Sequence, residues 1–285
     1  VLSSGWAGSQ LLNSDDYRAY VGGTTGLIYG FVNDGFYTVD DFKPFDSKSR
    51  TWTLKDGVVN SSPLSGDPRP GNAKFKKLTP VDENSANPYT LTDDDRTVIG
   101  NTTPKFSGGF GLNATFKGFD VSAFFNFMYD FDVFNANKVM MTTWASNNYN
   151  NFSMDISAAK RWRNFDDMGN EIRYSPEILA EFNKNATMWN PTSIGRPIAM
   201  SYAVEDGSFL RLNTATIGYT LPRAWTNKVG LSRVRFYASG YNLFTITGYS
   251  GYDPEVDIAT GLTPNIDNNR YPRSRTYTFG VQLTF

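Results

Sequence analysis

The feature that most constrains this chain is the alternation of apolar and small polar residues over segments of about ten residues. In 106–116 every second residue from Phe106 is apolar or glycine, and the residues between are Ser, Gly, Asn and Thr. The segments 119–129 and 275–285 repeat the pattern. A period of two gives a strand one apolar and one polar face, whereas a helix requires a period near 3.6. The chain is therefore predicted to be all-β.

Two further strands are predicted, over 208–221 and 232–244. In the first, Phe209 to Leu212 runs out of phase with the apolar positions from Ala215 onward, which predicts a bulge near Asn213. A weaker candidate runs from about 19 to 37. It is rich in glycine and aromatic residues, but its alternation is poor.

The connections between these strands alternate between long and short. Lys117-Gly118 reads as a tight hairpin turn, and 222–231 is also short, whereas 38–105, 131–206 and 245–272 are long. Alternation of this kind places the long connections at one end of the strands. That arrangement is typical of outer-membrane barrels and unusual in soluble β-sandwiches.

The composition supports the same class. Mean hydropathy is −0.41, yet the chain carries 22 Phe, 16 Tyr and 6 Trp. A transmembrane barrel reconciles these values, because its lipid-facing residues alternate with a polar lumen and its loops are polar. No apolar run approaches the roughly 18 to 20 residues of a membrane helix. The predicted fold class is thus a segment of a transmembrane antiparallel β-barrel with long extracellular loops.

Catalysis is not expected. The chain has no Cys and no His, which excludes Ser-His-Asp triads, thiolate zinc sites and HExxH metal sites. The pairs Asp15-Asp16 and Asp166-Asp167 have no identifiable catalytic partner. A net charge of −1 gives no basic footprint for nucleic acid.

The N-terminus is unusual for a complete protein. The run from Val1 to Trp6 has no starting Met, no basic region and no apolar stretch. We expect the chain to be a processed or truncated product, or a fragment of a longer protein.

Seven ordered motifs together resemble a known family. They are Gly26-Leu27-Ile28-Tyr29-Gly30-Phe31 with Asp34-Gly35-Phe36-Tyr37, the run Thr92 to Pro104, Lys117-Gly118-Phe119-Asp120, the run Glu205 to Leu212, the run Ile217 to Pro222, the run Asn242 to Thr247 with Gly251-Tyr252-Asp253-Pro254-Glu255, and the run Tyr271 to Gly280. In this order they resemble the C-terminal barrel region of the SusC/RagA family, the TonB-dependent outer-membrane transporters of Bacteroidetes.

The resemblance implies a 22-stranded barrel around an N-terminal plug. It also implies a SusD-like surface lipoprotein as lid, energy passed by the TonB complex, and import of oligosaccharides or peptides. Residues 1–285 would supply about six strands of such a barrel, while the plug and the earlier strands have no counterpart here. Six strands leave two open edges in lipid, so the chain needs the remainder of the barrel as a partner.

The implied location is the outer membrane of a Gram-negative bacterium, with the long loops extracellular and the C-terminus periplasmic. Two alternatives to an active importer remain open. The protein could be a passive outer-membrane porin, or a soluble β-rich carbohydrate-binding module.

Candidate ligand or lid contacts lie among the loop aromatics. Sugar rings stack on flat aromatic faces, and Asn side chains such as Asn147, Asn148, Asn150 and Asn151 match hydroxyl pairs. Arg161 and Arg163 flank Trp162 and could bind a carboxylate or a sugar. The competing interpretation is that these groups pack the loops together. The candidate residues are Trp144, Tyr149, Trp162, Trp189 and Tyr202.

Three further predictions concern the loops and the last strand. Asp82, Asn84 and Asp93 form a weak calcium candidate, weak because Ala86 replaces the third ligand and Asn87 the turn glycine. Short helices are predicted over 153–165 and 175–182. Finally, Tyr277, Phe279 and the terminal Phe285 share one face and are predicted to act as an assembly signal for the barrel.

Overall fold

The structure is a computed structural model that describes residues 2–4, 16–144, 151–195, 198–256 and 263–285. These residues form two compact units. The first, here called the loop unit, takes its residues from 1–101, 134–204 and 259–268. The second, the sheet unit, takes them from 102–133, 205–258 and 269–285.

The secondary structure is dominated by strands. In chain order the strands are β1 (Leu2–Ser4), β2 (Tyr17–Ala19), β3 (Leu27–Gly30), β4 (Asn33–Phe36), β5 (Ala73–Phe75), β6 (Thr97–Asn101), β7 (Phe106–Phe116), β8 (Phe119–Tyr129), β9 (Asp132–Asn135), β10 (Val204–Asp206), β11 (Phe209–Thr220), β12 (Arg233–Thr247), β13 (Ile266–Asp267) and β14 (Thr276–Thr284). The α-helices are α1 (Ser62–Ser65), α2 (Ala136–Thr142), α3 (Pro176–Phe182) and α4 (Arg223–Thr226). Short 3₁₀ turns cover Val39–Asp41, Asp93–Asp95, Met154–Ile156, Pro191–Ser193, Ser201–Ala203 and Asn227–Val229.

The sheet unit is built on a five-stranded antiparallel sheet in the order β14-β12-β11-β8-β7. Its register aligns the apolar positions of all five strands. One row pairs Ala114 with Val121, Val121 with Ile217, Ile217 with Ala238, and Ala238 with Phe279. The alternation seen in each strand therefore becomes one continuous apolar face.

The opposite face of this sheet is mainly polar, although it also carries the rings of Phe124 and Tyr237. The neighbouring row pairs Asn113, Ser122, Thr216, Ser239 and Thr278 in succession. The hydroxyls of Thr216 and Ser239 lie 2.8 Å apart and form a cross-strand hydrogen bond. A sheet with one apolar and one hydrated face is what a barrel wall between lipid and lumen requires.

Two local features predicted from the sequence, a bulge and a tight turn, are present in the sheet unit. The register of β11 shifts between Leu212 and Thr214 against both of its neighbours, so the predicted bulge near Asn213 is confirmed. The turn between β7 and β8 is formed by Lys117 and Gly118, whose φ values of 47° and 88° suit a tight hairpin with two left-handed residues.

The predicted separation of short and long connections is present in the sheet unit. At one end, Phe116 pairs with Phe119 across the tight turn, and Thr220 pairs with Arg235 across the short connection. At the other end, Phe209 pairs with Met128 and Thr247, where the long connections begin and end.

One expectation about an individual element needs correction. The candidate strand over 19–37 is instead three short strands, β2, β3 and β4, with turns at Gly22, Gly26 and Gly35. These strands belong to the loop unit, so they add nothing to the five-stranded sheet, and the expected count of six strands is not confirmed. The sheet is open rather than a closed barrel, with β7 and β14 as its edges.

The helix predicted over 153–165 is wrong beyond its first turn. Ser153 caps a 3₁₀ turn by accepting a hydrogen bond from the backbone N–H of Asp155. Farther along, Trp162 donates its backbone N–H to Met188 at 2.8 Å, and Arg161 and Met188 form a parallel bridge. Extended pairing with a distant segment thus replaces the helix. The helix predicted over 175–182 is present as α3, with Pro176 in its first turn.

The loop unit has a hydrophobic core of its own. Its sheet has the order β1-β2-β3-β6, β4 pairs with β5, and β13 lies parallel to β9 through Ile266 and Phe134. The long connections therefore pack around a common interior rather than remaining open. Its buried members include Tyr17, Ile28, Phe31, Phe75, Phe134, Val139, Ile156, Trp189, Ile194 and Met200.

Within the described ranges, no helix has both the length and the apolar composition needed to cross a membrane.

Candidate functional site

An aromatic platform formed by Trp144 and Phe152 lies on the loop unit. Trp144 is 48% exposed and Phe152 is also exposed, and their rings stack with centroids 5.6 Å apart and an interplanar angle of 27°. The backbone N–H of Trp144 donates to the carbonyl of Pro191 at 2.7 Å, which holds this end of the platform in place. Both rings line a cavity of about 590 Å³. A flat, accessible aromatic surface of this kind suits a sugar ring.

Trp162 forms part of the wall of the same cavity, but its ring is packed. It is 3% exposed and meets Phe36 edge-on at 5.6 Å. A β-carbon placed on Gly71 would lie 2.2 Å from the Trp162 ring, so the glycine backbone is in direct contact with the indole. Trp162 also anchors a small cluster with Ile172 and Leu179. In this structure its main contribution is to packing.

Trp189 and Tyr202 form a second aromatic pair. Trp189 is 2% exposed and belongs to the core of the loop unit. Tyr202 is half-buried and contacts Trp189 edge-on at 4.8 Å, while the Lys138 ammonium lies 4.4 Å from the Tyr202 ring centroid. Of the candidate contact residues, Trp144 is thus the most accessible. Tyr149 lies outside the described residues.

Three arginines line the cavity beside the aromatic platform. They are Arg161, Arg163 and Arg173, all half-buried. Arg163 pairs with Asp167 at 2.7 Å and stacks over Phe182 at 4.4 Å. Arg173 pairs with Glu171 and lies 5.5 Å from the Phe165 ring centroid. Arg161 donates to the Ile156 carbonyl at 3.0 Å.

Asp166, a carboxylate that lines this cavity, is engaged within its own turn. The side-chain amide and backbone N–H of Asn170 and the backbone N–H of Met168 donate to it, at 2.8–2.9 Å. The Asn170 side chain and then these backbone donors hold the pKa of Asp166 below its ordinary value. Asp166 is therefore a turn-forming anion, which fits no catalytic role.

A second cavity, of about 470 Å³, adjoins the first. Asn164, Arg173 and Thr192 line both cavities. The second adds Arg50 and Arg69, whose side chains are exposed, together with one carboxylate, Asp67. The two cavities therefore form a connected surface, lined within the described part of the chain by five arginines and two aspartates. Arg50, Arg69 and Arg173 are not among the residues predicted from the sequence, because they are distant in sequence and no local pattern links them.

The weak calcium candidate is an exposed loop. The Asp82 carboxylate accepts the backbone N–H of Asn84 at 3.0 Å and so forms a local turn. Asp93 lies in the 3₁₀ turn Asp93–Asp95. Among the described residues, no group of three or more acidic side chains is arranged to hold a metal ion. Calcium binding at Asp82, Asn84 and Asp93 stays a prediction.

Two of the proposed assembly residues, Tyr277 and Phe279, lie on the edge strand β14, and Phe285 directly follows its last residue. Tyr277, Phe279 and Phe285 are all strongly exposed. Gly240 faces Tyr277 and Ala238 faces Phe279 on the neighbouring strand β12, on the apolar face. The terminal residues are fixed by Ser232, whose hydroxyl donates to the carbonyl of Thr284 at 3.0 Å.

Two charged clusters in the sheet unit were also missed. Asp120 and Arg235 pair on the polar face. Arg211, which is 1% exposed, donates to Asp253 at 2.5 Å, and Arg273 pairs with Glu255 at 2.7 Å. The Asp120–Arg235 pair could have been predicted from the sequence. Each residue lies at a polar-face position of a predicted strand, where a charged side chain needs a partner on a neighbouring strand.

Comparison with known proteins gives a consistent result. No protein-family model matches the sequence. The chain is 30% identical over 270 residues to TonB-dependent receptor P3 of Formosa agariphila, a match covering 93% of this chain and 22% of that protein. It is 32% identical over 164 residues to TonB-dependent receptor SusC of Bacteroides thetaiotaomicron, covering 53% of this chain and 15% of that protein.

Solved structures agree on the fold. The RagAB peptide transporter matches with a TM-score of 0.57 at 20% identity, over 95% of this chain and 25% of that chain. The RagAB peptide importer in its closed-closed state matches with a TM-score of 0.55 at 23% identity, over 92% of this chain and 23% of that chain. The chain thus spans about a quarter or less of the proteins it resembles. The sequence matches to the TonB-dependent receptors P3 and SusC show that the chain belongs to the SusC-like TonB-dependent receptors and corresponds to part of one.

Proposed function

We propose that the full-length protein is an active outer-membrane importer, in which this chain supplies part of the barrel wall and a folded loop unit. The observation that carries the proposal is the in-register apolar face of the five-stranded sheet. Phe110, Leu112, Ile217, Phe236 and Val281 on this face are all exposed in the described structure. Exposed apolar area of this extent is costly in water and stable against lipid.

The same face argues against a soluble carbohydrate-binding module. A soluble sheet covers its apolar face with a second layer. Here the aromatic and aliphatic residues of the edge strands β7 and β14 are exposed, and those of β8 are exposed or only partly buried. The two unpaired edges, β7 and β14, are explained if the remainder of the barrel pairs with them.

The proposal extends to partners and location. The family supports a SusD-like surface lipoprotein as lid and a TonB complex acting on a part of the protein outside this chain. The long connections would be extracellular and Phe285 periplasmic. The ligand would be an oligosaccharide or a peptide. The platform of Trp144 and Phe152 favours the oligosaccharide, because it matches the face of a sugar ring.

The test is uptake by cells that carry the full-length protein. Import of a fluorescent oligosaccharide should stop when TonB is deleted or the membrane potential is dissipated. Co-purification with a SusD-like lipoprotein should be retained under both conditions. Uptake that continues without TonB would instead support the passive porin. A full-length protein that stays monodisperse in buffer without detergent would contradict the membrane proposal altogether.

A further inference from the structure

We propose that the two joined cavities of the loop unit bind an anionic oligosaccharide, with arginine guanidiniums contacting its carboxylate or sulfate groups and the Trp144–Phe152 platform stacking on a sugar ring. This rests on the proposed function and narrows its ligand to an acidic glycan. The residues that carry it are Arg50, Arg69, Arg161 and Arg173, with Trp144 and Phe152.

The charge balance of the cavities is the first argument. Counting only residues that the structure describes, five arginines line them against two aspartates, Asp67 and Asp166. Asp166 accepts three hydrogen bonds within its own turn, so its oxygens are engaged there while it keeps its charge. Asp167 and Glu171 pair with Arg163 and Arg173, and the surface still keeps an excess of positive charge. Concave sites lined by one sign of charge concentrate ligands of the opposite sign. The net field of this surface therefore attracts an anion.

The pairing of the arginines is the second argument. Arg163 and Arg173 each have a carboxylate partner. Within the ranges that the structure describes, Arg50, Arg69 and Arg161 form no ion pair with any carboxylate. Arg50 instead stacks over Tyr174 at 5.3 Å, which holds its guanidinium in place while leaving its N–H groups available. A guanidinium presents a planar fork of donors that matches carboxylate and sulfate oxygens.

The shape and neutral lining of the surface favour a glycan over an acidic peptide. The two cavities have volumes of about 590 and 470 Å³ and meet at Asn164, Arg173 and Thr192. Amide and hydroxyl groups such as those of Asn164 and Thr192 pair with sugar hydroxyls. The stacked aromatic pair borders only the first cavity, so a chain of several sugar units would place one ring on it and extend its charged groups toward Arg69 and Arg50.

The experiment uses the purified full-length transporter in detergent and titrates it with three fluorescently labelled probes of equal length. These are tetragalacturonate, which is anionic, maltotetraose, which is neutral, and tetraglutamate, an acidic peptide. Tetragalacturonate should bind at least tenfold more tightly than either of the others. Raising the salt concentration should weaken its binding and leave that of maltotetraose nearly unchanged.

Substitutions distinguish the loss of charge in the cavities from a loss of folding. Arg50→Gln combined with Arg69→Gln should weaken tetragalacturonate binding by roughly ten- to hundredfold, as expected for charge-assisted hydrogen bonds. Arg223→Gln together with Lys228→Gln, which removes the same charge from the exposed connection 222–231, should change it less than twofold. Heat-modifiable migration of every variant verifies the fold.

Three outcomes would overturn the proposal. Equal affinity for tetragalacturonate and maltotetraose would show that charge plays no role. An unchanged affinity in the Arg50–Arg69 variant would remove these residues from the site. Tighter binding of tetraglutamate would assign the surface to acidic peptides. If uptake still depends on TonB in any of these cases, the importer function stands and only the ligand class is wrong.

Discussion

The guanidinium of Arg235 lies across Gly218 and pairs with the carboxylate of Asp120, so that one ion pair spans three adjacent strands of the sheet. Its Nε donates to Asp120 at 2.9 Å, and a second nitrogen reaches the other carboxylate oxygen. A β-carbon on Gly218 would lie 2.5 Å from that guanidinium. Because Gly218 has no side chain, the Arg235 guanidinium can cross the strand β11 and reach Asp120.

We expect Gly218→Ala to break this pair without breaking the sheet. The new methyl group displaces a flexible guanidinium rather than backbone, so the lost energy is that of the ion pair, about 1–2 kcal/mol. Asp120→Asn should have a similar cost, and the double variant should cost little more than either alone. The measurement is urea unfolding of the full-length protein in detergent, followed by heat-modifiable migration. Strict additivity of the two substitutions would contradict the coupling.

Gly71 should tolerate no side chain. Its φ is +90°, and a β-carbon would lie 2.2 Å from the buried Trp162 ring. Gly71→Ala therefore adds a steric clash to backbone strain, and we expect the loop unit to lose more than about 2 kcal/mol of stability.

Gly57→Ala is the matched control for Gly71. Its φ is +85°, but nothing lies within 4 Å of its β-carbon position, so it should show the strain alone. Limited proteolysis of the full-length protein reports the difference, with cleavage in the loop unit accelerated more for Gly71→Ala than for Gly57→Ala. Equal cleavage rates for the two variants would mean that contact with Trp162 contributes nothing.

Asp95 should make the loop unit sensitive to acid. Its burial would raise the pKa, but the hydroxyl and backbone N–H of Thr79 and the backbone N–H groups of Thr92 and Leu78 outweigh this and hold the pKa well below the ordinary 3.8. A carboxyl whose pKa is lower in the folded state than in the unfolded state stabilises the fold at pH values above the unfolded-state pKa. That contribution is complete above about pH 4 to 5 and is lost as pH falls toward the folded pKa.

Asp95→Asn should remove this acid dependence and cost about 3 kcal/mol at pH 7, because Lys77 loses its partner in a buried position. Asp94→Asn changes the same charge on the neighbouring exposed residue and serves as the control. Proteolytic protection of the loop unit measured from pH 7 to pH 3 provides the test. A wild type whose protection does not change below pH 4 would refute the role of Asp95.

Phe285 should contribute more to barrel assembly than the loss of its apolar surface area alone would explain. It ends the chain beside the edge strand β14, with Tyr277 and Phe279 exposed on that strand. We expect Phe285→Ala to lower the amount of full-length protein in the outer membrane several-fold. Phe116→Ala removes a similarly exposed aromatic at the hairpin end of β7 and should have a much smaller effect. Equal losses in the two variants would point to lost apolar area rather than to an assembly signal.

The strands of the sheet unit could be predicted because their information is local. Alternation with a period of two depends only on neighbouring residues, so 106–116 and 119–129 match β7 and β8 residue for residue. The bulge beside Asn213 was visible as a change of phase. Once both faces differ in polarity, a slip of one residue would turn every side chain to the wrong face, which is why the register follows from the sequence.

The loop unit could not be predicted in the same way. Its core joins residues as distant as Tyr17, Phe75, Trp189 and Ile266, and no period in the sequence connects them. Extended pairing with Met188 overrode the helical pattern of 153–165, because tertiary hydrogen bonds outweigh weak local propensity.

The candidate site shows the same division. The sequence alone determined that aromatics and arginines lie in the long connections, and its alternation determined which strand faces are apolar. Only the tertiary structure decided that Trp162 and Trp189 are buried while Trp144 is exposed, and that Arg50, Arg69 and Arg173 line one surface. The reason is physical, since strand polarity is set by neighbours in sequence, whereas burial and the clustering of charge are set by packing between segments that are far apart in the chain.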